Sequence, residues 1–166
     1  MAAAVPELML AASCSKNFGV YRDRVGAAFA LSATPQAAEV TRSNLASLNR
    51  LNYSFPPDHG AKAVALVLAD PELRADWMAE LEAMRLGMLE IRQGLADALR
   101  RETNSDRFDF VTAHRGMFSR LGLTPEQVAE LREKHGIYMV GDSRINVAGL
   151  PAGGLETLAK AIAATA

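Results

Sequence analysis

The chain carries a single cysteine, Cys14, so it can form no internal disulfide and build no metal site from several thiolates. No apolar run is long enough to cross a bilayer. The opening stretch, Met1 to Pro6, lacks the positive end and apolar centre of a secretory signal. Neither sign of charge is in excess. The formal net charge of −1 argues against nucleic acid or an anionic membrane as partner. His59, His114 and His135 lack the spacing of metal ligands, so no metal is expected. There is no internal repeat, and no low-complexity stretch beyond the alanine-rich ends. A lone cysteine without signal or span leads us to expect a cytoplasmic protein.

Nearly half of the 166 residues are hydrophobic, enough for a core. Leu8 to Ala12 reads as a buried strand ending at a site, and Val25 to Leu31 as a second strand. Asn17-Phe18-Gly19 between them predicts a tight turn. Pro35 to about Leu51 and Ala61 to Leu68 read as helices, separated by a proline-containing loop over Asn52 to Gly60. Asp70-Pro71 caps a long helix whose apolar stripe runs Leu73, Trp77, Leu81, Met84, Met88, Ile91, Leu95, Leu99 and ends near Glu102. Arg107 to Ala113 and Met117 to Arg120 look like strands. Thr124-Pro125-Glu126-Gln127 has capping-box spacing, and its helix should stop at Gly136. Ile137 to Val140 and Ile145 to Ala148 read as short strands, and a last helix starts near Gly154. The order is mixed α/β, shifting to α+β after the long helix.

The densest chemistry is Ser13-Cys14-Ser15-Lys16-Asn17-Phe18-Gly19-Val20-Tyr21-Arg22-Asp23-Arg24-Val25-Gly26. A lysine at the end of a buried strand is unusual, because the ammonium normally stays in water. Desolvation lowers a lysine's pKa and frees a nucleophilic amine that condenses with carbonyls. Ser13, Ser15 and Arg24 flank it. Hydroxyls with one bidentate guanidinium make a phosphate clamp. An amine beside a phosphate clamp suits pyridoxal 5'-phosphate.

This segment resembles the lysine signature of the aspartate and aromatic aminotransferases, Ser-x-Ser-Lys-Asn-x-Gly-x-Tyr-x-x-Arg-x-Gly, and meets every fixed position of it. Asn49 to Gly60 resembles the family's Arg-x-Asn-Tyr-Ser-x-Pro-Pro-x-His-Gly loop. Arg115-Gly116-Met117-Phe118-Ser119 is similar to its Gly-Met-Phe-Ser segment, and Gly141 to Gly149 to its Ser-x-Arg-x-Asn-x-Ala-Gly signature. The resemblance runs from about Val5 to the last helix, and its wording looks closest to bacterial aromatic-amino-acid enzymes.

The resemblance implies a pyridoxal-phosphate-dependent fold. Residues 1–82 would be the end of its large domain, a three-layer α/β piece, and residues 83–166 a small α+β domain. Lys16 would carry the cofactor and act as the catalytic amine, with Ser13, Ser15 and Arg24 around the phosphate. Arg144 would bind the substrate's α-carboxylate and Phe118 would line the pocket. Arg50 would reach into the partner subunit's site of a homodimer. The substrates would be an aromatic or dicarboxylic amino acid and 2-oxoglutarate. The family's N-terminal half supplies ring and phosphate contacts that find no match here, and Met1 looks like a start at an interior point of the family sequence. Without that half the first strand would also lose its sheet neighbours and leave exposed edges and apolar surface, so we expect the chain alone to be a poor catalyst that associates, either with itself or with a complementing N-terminal chain. The alternative is a catalytically incomplete remnant acting only as a folding or dimerisation partner.

Plainer readings exist for each residue: a surface turn for Lys16, an ion pair with Asp142 or Glu156 for Arg144, a solvated helix end for Arg50, and core packing for Met117 and Phe118. Ser13 to Lys16 also fits Ser-x-x-Lys of the penicillin-binding class, but a glycine turn follows and the companion motifs are absent. Gly141-Asp142-Ser143 resembles an esterase nucleophile, but no histidine follows it.

Overall fold

The structure is a computed structural model that describes residues 4–165. The chain divides into two compact units, Met1–Met78 and Ala79–Ala166.

In the first unit, strands β1 (Leu8–Ser13) and β2 (Gly26–Leu31) pair antiparallel, from Leu8 opposite Leu31 to Ser13 opposite Gly26. Helix α1 (Pro35–Tyr53) starts where Thr34 Oγ1 accepts from the Ala37 N–H at 3.1 Å, with proline in its first turn. Helix α2 covers His59–Ala69. The helical ends of α1 and α2 therefore take residues from both sides of the expected loop. Asp70 Oδ1 accepts from the amides of Glu72 and Leu73 at 2.9 and 3.1 Å, opening helix α3 (Pro71–Thr103) as its sequence predicts. The sheet is only two strands wide among the described residues, so the expected three-layer build is reduced to this ladder and its helices.

Read alone, the apolar run of β1 suggests burial, but the strand lies open, as the expected loss of its sheet neighbours implies. Five of its six residues are exposed, Met9 at 68% and Leu10 at 52%. An apolar run sets the local preference for a strand, but burial needs other elements laid on its faces, and the described residues supply too few.

The second unit closes a core. Leu95 and Leu99 of α3 pack with Phe108, Val111, Leu121, Leu123, Ile145 and Val147, and with helices α4 (Pro125–His135) and α5 (Leu155–Thr165). The capping box on α4 is complete: Thr124 Oγ1 accepts from the Gln127 amide and Gln127 Oε1 from the Thr124 amide. Gly136 ends the helix in the left-handed conformation at φ +65°. Strands β3 (Phe118–Arg120) and β4 (Arg144–Asn146) pair antiparallel. The long stripe of α3 is split: Leu95 and Leu99 are fully buried, while Leu73 and Met84 stay exposed.

Three strand expectations need correction. Asp109–Thr112 is a 3-10 turn, because Phe108 and Val111 reach the core together at a spacing of three and the Val111 amide bonds the Phe108 carbonyl. Residues 137–140 keep strand-like alternation, with Ile137 and Met139 against the core and Tyr138 and Val140 exposed. They pair with no strand, since the Ile137 amide is spent on the Leu131 carbonyl and the Val140 carbonyl on the Ser143 amide. The strand read over Ile145 to Ala148 begins one residue earlier and gives way to a 3-10 turn at Val147–Gly149. No described helix is long and apolar enough to cross a membrane.

Candidate active site

The lysine segment is the connection between β1 and β2, closed where the Cys14 amide donates to the Val25 carbonyl at 3.0 Å. Inside it the Phe18 amide bonds the Cys14 carbonyl and the Gly19 amide the Lys16 carbonyl, giving the tight turn its sequence predicts. Gly19 has φ +68°, a conformation that costs a side chain. Gly26 is required by close approach: a Cβ there would lie 2.4 Å from the Ala12 carbonyl oxygen.

Ser13, Ser15, Lys16, Tyr21 and Arg24 all lie at or within this loop. Ser15 is buried, and its amide donates to Ser13 Oγ at 3.2 Å, which leaves the Ser13 hydroxyl proton for another acceptor. Arg24 has φ +54°, and its Nη1 donates to the Tyr21 carbonyl at 2.8 Å. Lys16 is exposed, which corrects the expectation of a desolvated amine. Its Nζ lies 4.0 Å from the centroid of the Tyr21 ring, a cation–π contact that orients the amine over the loop. The correction has the same origin as the openness of β1: a strand end becomes dry only when other elements wall it in.

Sequence reasoning missed what braces this loop. Trp77 of α3 donates Nε1–H to the Asn17 carbonyl at 2.7 Å and stacks on Phe18, with ring centroids 4.4 Å apart and planes 8° from parallel. These contacts fall on the two residues that follow Lys16. In the sequence Trp77 falls within the packing stripe of α3. Its being the sole tryptophan, with a polar N–H in need of a partner, was the available signal. Gly60 is buried at the start of α2, where a Cβ would sit 2.4 Å from both Asp23 Cβ and Val25 Cγ2. His59 Nδ1 lies 3.2 Å from Asp23 Oδ1. The Pro-Pro-x-His-Gly segment thus packs against the lysine loop.

Arg50 is exposed in the last turn of α1, where its charge complements the helix C-terminus. It lines a surface depression with Ala46, Ser47, Asn49, Ser54 and Phe55.

Phe118 and Arg144 lie on β3 and β4 of the second unit. The Arg144 guanidinium carbon stands 5.4 Å from the Phe118 ring centroid. The acids considered as partners for Arg144 are engaged elsewhere: Asp142 pairs with Arg120 at 3.0 Å and Glu156 with Arg101. Asp142 Oδ1 instead accepts from the backbone amide of Arg144. Ser143 is buried at φ +61°, and its Oγ accepts from the Gly122 amide at 3.0 Å, a turn-holding role rather than a nucleophile's. Arg92, on α3, is only 1% exposed and was not singled out by its sequence. Desolvation pulls its pKa below the ordinary arginine value, and the Arg115 cation adds to the effect.

Residues 1–162 match the family described as Aminotransferase class I and II. The chain is 60% identical over 162 residues to the aromatic-amino-acid aminotransferase of Paracoccus denitrificans, covering 98% of this chain and 41% of that protein. It is 42% identical over 158 residues to the aspartate aminotransferase of Escherichia coli strain K12, covering 95% of this chain and 40% of that one. The solved aromatic-amino-acid aminotransferase of Burkholderia pseudomallei, covalently bound to pyridoxal phosphate, superposes with TM-score 0.90 at 45% identity, over 99% of this chain and 41% of its own. The chain thus spans about two fifths of the length of the relatives it matches. With a match that runs almost end to end and a fold shared at this level of identity, the chain belongs to the class I and II aminotransferase family.

Proposed function

We propose that this chain is the lysine-bearing portion of a pyridoxal-phosphate-dependent aminotransferase. The reaction moves an amino group between an aromatic or dicarboxylic L-amino acid and 2-oxoglutarate. The observation that carries the reading is the loop between β1 and β2, which carries the Lys16 amine, the Ser13 and Ser15 hydroxyls and the Arg24 guanidinium within a dozen residues. That donor set fits a phosphorylated aldehyde: the amine meets the aldehyde, and the hydroxyls and the guanidinium meet the phosphate. The 60% identity to a relative named for aromatic amino acids supports the aromatic substrate.

Bound pyridoxal phosphate supplies the aldehyde and an electron sink. The chain's own residues supply the rest. Lys16 anchors the cofactor and, when released, moves the proton at the substrate's α-carbon as a general base and acid. Ser13, Ser15 and Arg24 hold the phosphate. Arg144 fixes the α-carboxylate and so orients the Cα–H bond, with Phe118 beside the side chain. Arg50 pairs with the second carboxylate of a dicarboxylic substrate across a homodimer. For an aromatic substrate it must swing aside, since facing a charge with an apolar ring is costly. We assign residues 1–82 to the large, cofactor-binding domain and residues 83–166 to the small domain, a reading supported by the division into compact units a few residues earlier, between Met78 and Ala79. The second reading, a chain that only folds with or docks on a partner, is favoured by the exposed apolar residues of β1 and β2.

The test is to mix the chain with pyridoxal phosphate, reduce with borohydride and locate the adduct by peptide mass. One stoichiometric label on Lys16, lost in Lys16→Ala, is expected. Scattered labelling, or labelling unchanged in Lys16→Ala, would leave only the second reading.

A further inference from the structure

The second unit buries one cation without an acid. Arg92 Nη1 donates to Ser119 Oγ at 2.5 Å and to the Val111 carbonyl at 3.2 Å. Its Nη2 donates to the Gly116 carbonyl at 2.7 Å and to the Phe118 carbonyl at 3.2 Å. Its Nε has no partner, and among the described residues no carboxylate is paired with it. A buried guanidinium facing only neutral oxygens is a costly way to fill a core. Three of its four bonds explain what it does there: they fall on the turn at Gly116, where φ is +80°, and on the strand that follows, while the fourth reaches back to the 3-10 turn at Val111. That stretch leads straight into Phe118. Its other side is held by β4, where the Val147 amide donates to the Met117 carbonyl at 2.7 Å and Phe118 lies opposite Asn146.

We propose that Arg92 is the positioning residue of the Phe118–Arg144 pair. By tying down the Gly116 and Phe118 carbonyls it sets the Phe118 ring against the Arg144 guanidinium, and this biases the site toward carboxylates that carry an apolar ring. The argument is geometric. Phe118 is 42% exposed, so part of its ring surface meets solvent beside a cation that engages neither Asp142 nor Glu156. A ligand with a carboxylate and a ring can use both, whereas a bare carboxylate uses only the cation. Ser119 contributes through Arg92: its Oγ accepts from Nη1 and lies 3.0 Å from His114 Nδ1, so the hydroxyl ties the guanidinium to a second fixed group. The specificity half of the proposal rests on reading Arg144 as a carboxylate-binding residue.

The experiment uses the full 166-residue chain with Arg92→Lys, Arg92→Met and the milder Ser119→Ala. The first readout is the ring-current shift of the Arg144 δ-methylene protons, assigned by its disappearance in Phe118→Leu. It should vanish in Arg92→Met, survive in part in Arg92→Lys and shrink in Ser119→Ala, while the Leu95 and Ile162 methyl signals stay in place. An Arg144 shift that is unchanged in Arg92→Lys and Ser119→Ala overturns the positioning role, even if Arg92→Met fails to fold. The second readout is titration with 3-phenylpropionate and with acetate. Arg92→Lys should weaken the first by about fivefold and the second by less than about twofold. Equal weakening of both overturns the specificity role. Arg144→Gln separates the two layers. If it still binds both probes, the carboxylate reading of Arg144 is what fails, and the positioning of Phe118 is judged on the ring shift alone.

Discussion

In the second unit Leu95, Leu99, Phe108, Leu131 and Ile162 are closed off from water. In the first, Met9, Leu10, Phe29, Leu48 and Phe55 remain exposed, Phe55 at 87%. Both stretches of chain are rich in apolar residues, and both fold into regular elements. They differ in whether the elements present complete one another. The C-terminal half of α3, the 3-10 turn at Asp109–Thr112, the β3–β4 ladder, α4 and α5 enclose a volume together. A two-stranded ladder and its helices do not. The chemistry is divided just as unevenly. The lysine, the two serines and Arg24 sit in the unit without a core, where order comes from a few specific contacts at Trp77, Gly60 and the Cys14–Val25 hydrogen bond.

The comparison can be sharpened most by cutting equal pieces from each side. Leu99→Ala removes a fully buried side chain and should cost about 2–5 kcal/mol in urea denaturation. Leu66→Ala, at a position 63% exposed in the first unit, should cost less than about 0.5 kcal/mol. Equal effects would mean that the first unit is covered in solution.

A smaller effect is expected from Gly60→Ala. The new Cβ would fall 2.4 Å from Asp23 and Val25, so α2 and the lysine loop must separate, at about 1–3 kcal/mol. Faster hydrogen exchange at the Cys14 and Gly19 amides is the measurement, and unchanged exchange would show that α2 does not brace the loop.

Trp77→Phe is gentler still. It keeps a ring to stack on Phe18 but deletes the N–H to the Asn17 carbonyl, a loss of about 1 kcal/mol. It should loosen the Lys16 turn, seen as exchange at Phe18 and Gly19, while leaving amides of α4 untouched. Exchange that rises equally in α4 would argue that the two regions unfold together.

The smallest effect should be common to both units. The hydrogen bond from Arg42 holds the Glu39 carboxyl below the usual glutamate range, and that from Arg85 does the same for Glu82. Because the folded value is the lower one, each pair adds stability above the unfolded glutamate pKa and loses it as pH falls through the folded value. Both pairs are solvent-exposed, so the loss should be slight and salt-sensitive. Carboxyl-carbon NMR titration checks this. A midpoint at the ordinary glutamate value for either residue would remove that pair from the account.

Much of the local structure was legible. The Thr124–Gln127 capping box, the Gly136 stop, the Asp70–Pro71 start and the Gly19 turn follow from backbone preferences and short-range hydrogen bonds, which depend only on neighbours in the chain. The lysine signature was legible for the same reason, since its residues are contiguous. The strand readings at 107–113 and 137–140 failed because alternation describes where side chains point, and not whether a backbone partner lies alongside. Arg92 was not legible at all. Its spacing on α3 puts it beside the apolar stripe, and only Ser119 Oγ and the carbonyls of Val111, Gly116 and Phe118, brought to it from well along the chain, make its burial tolerable.

The sequence by itself determined the helices and turns, the contiguous lysine motif and the family, because each is written in residues close together along the chain. Tertiary structure alone decided two things: that the Asn17 carbonyl and the Phe18 ring would meet Trp77, and that Arg144 would face Phe118 rather than Asp142 or Glu156. In each case the outcome depends on which distant surfaces arrive and which do not. Burial, ring contacts and ion-pair choice are set by that arrival, and no local preference encodes it.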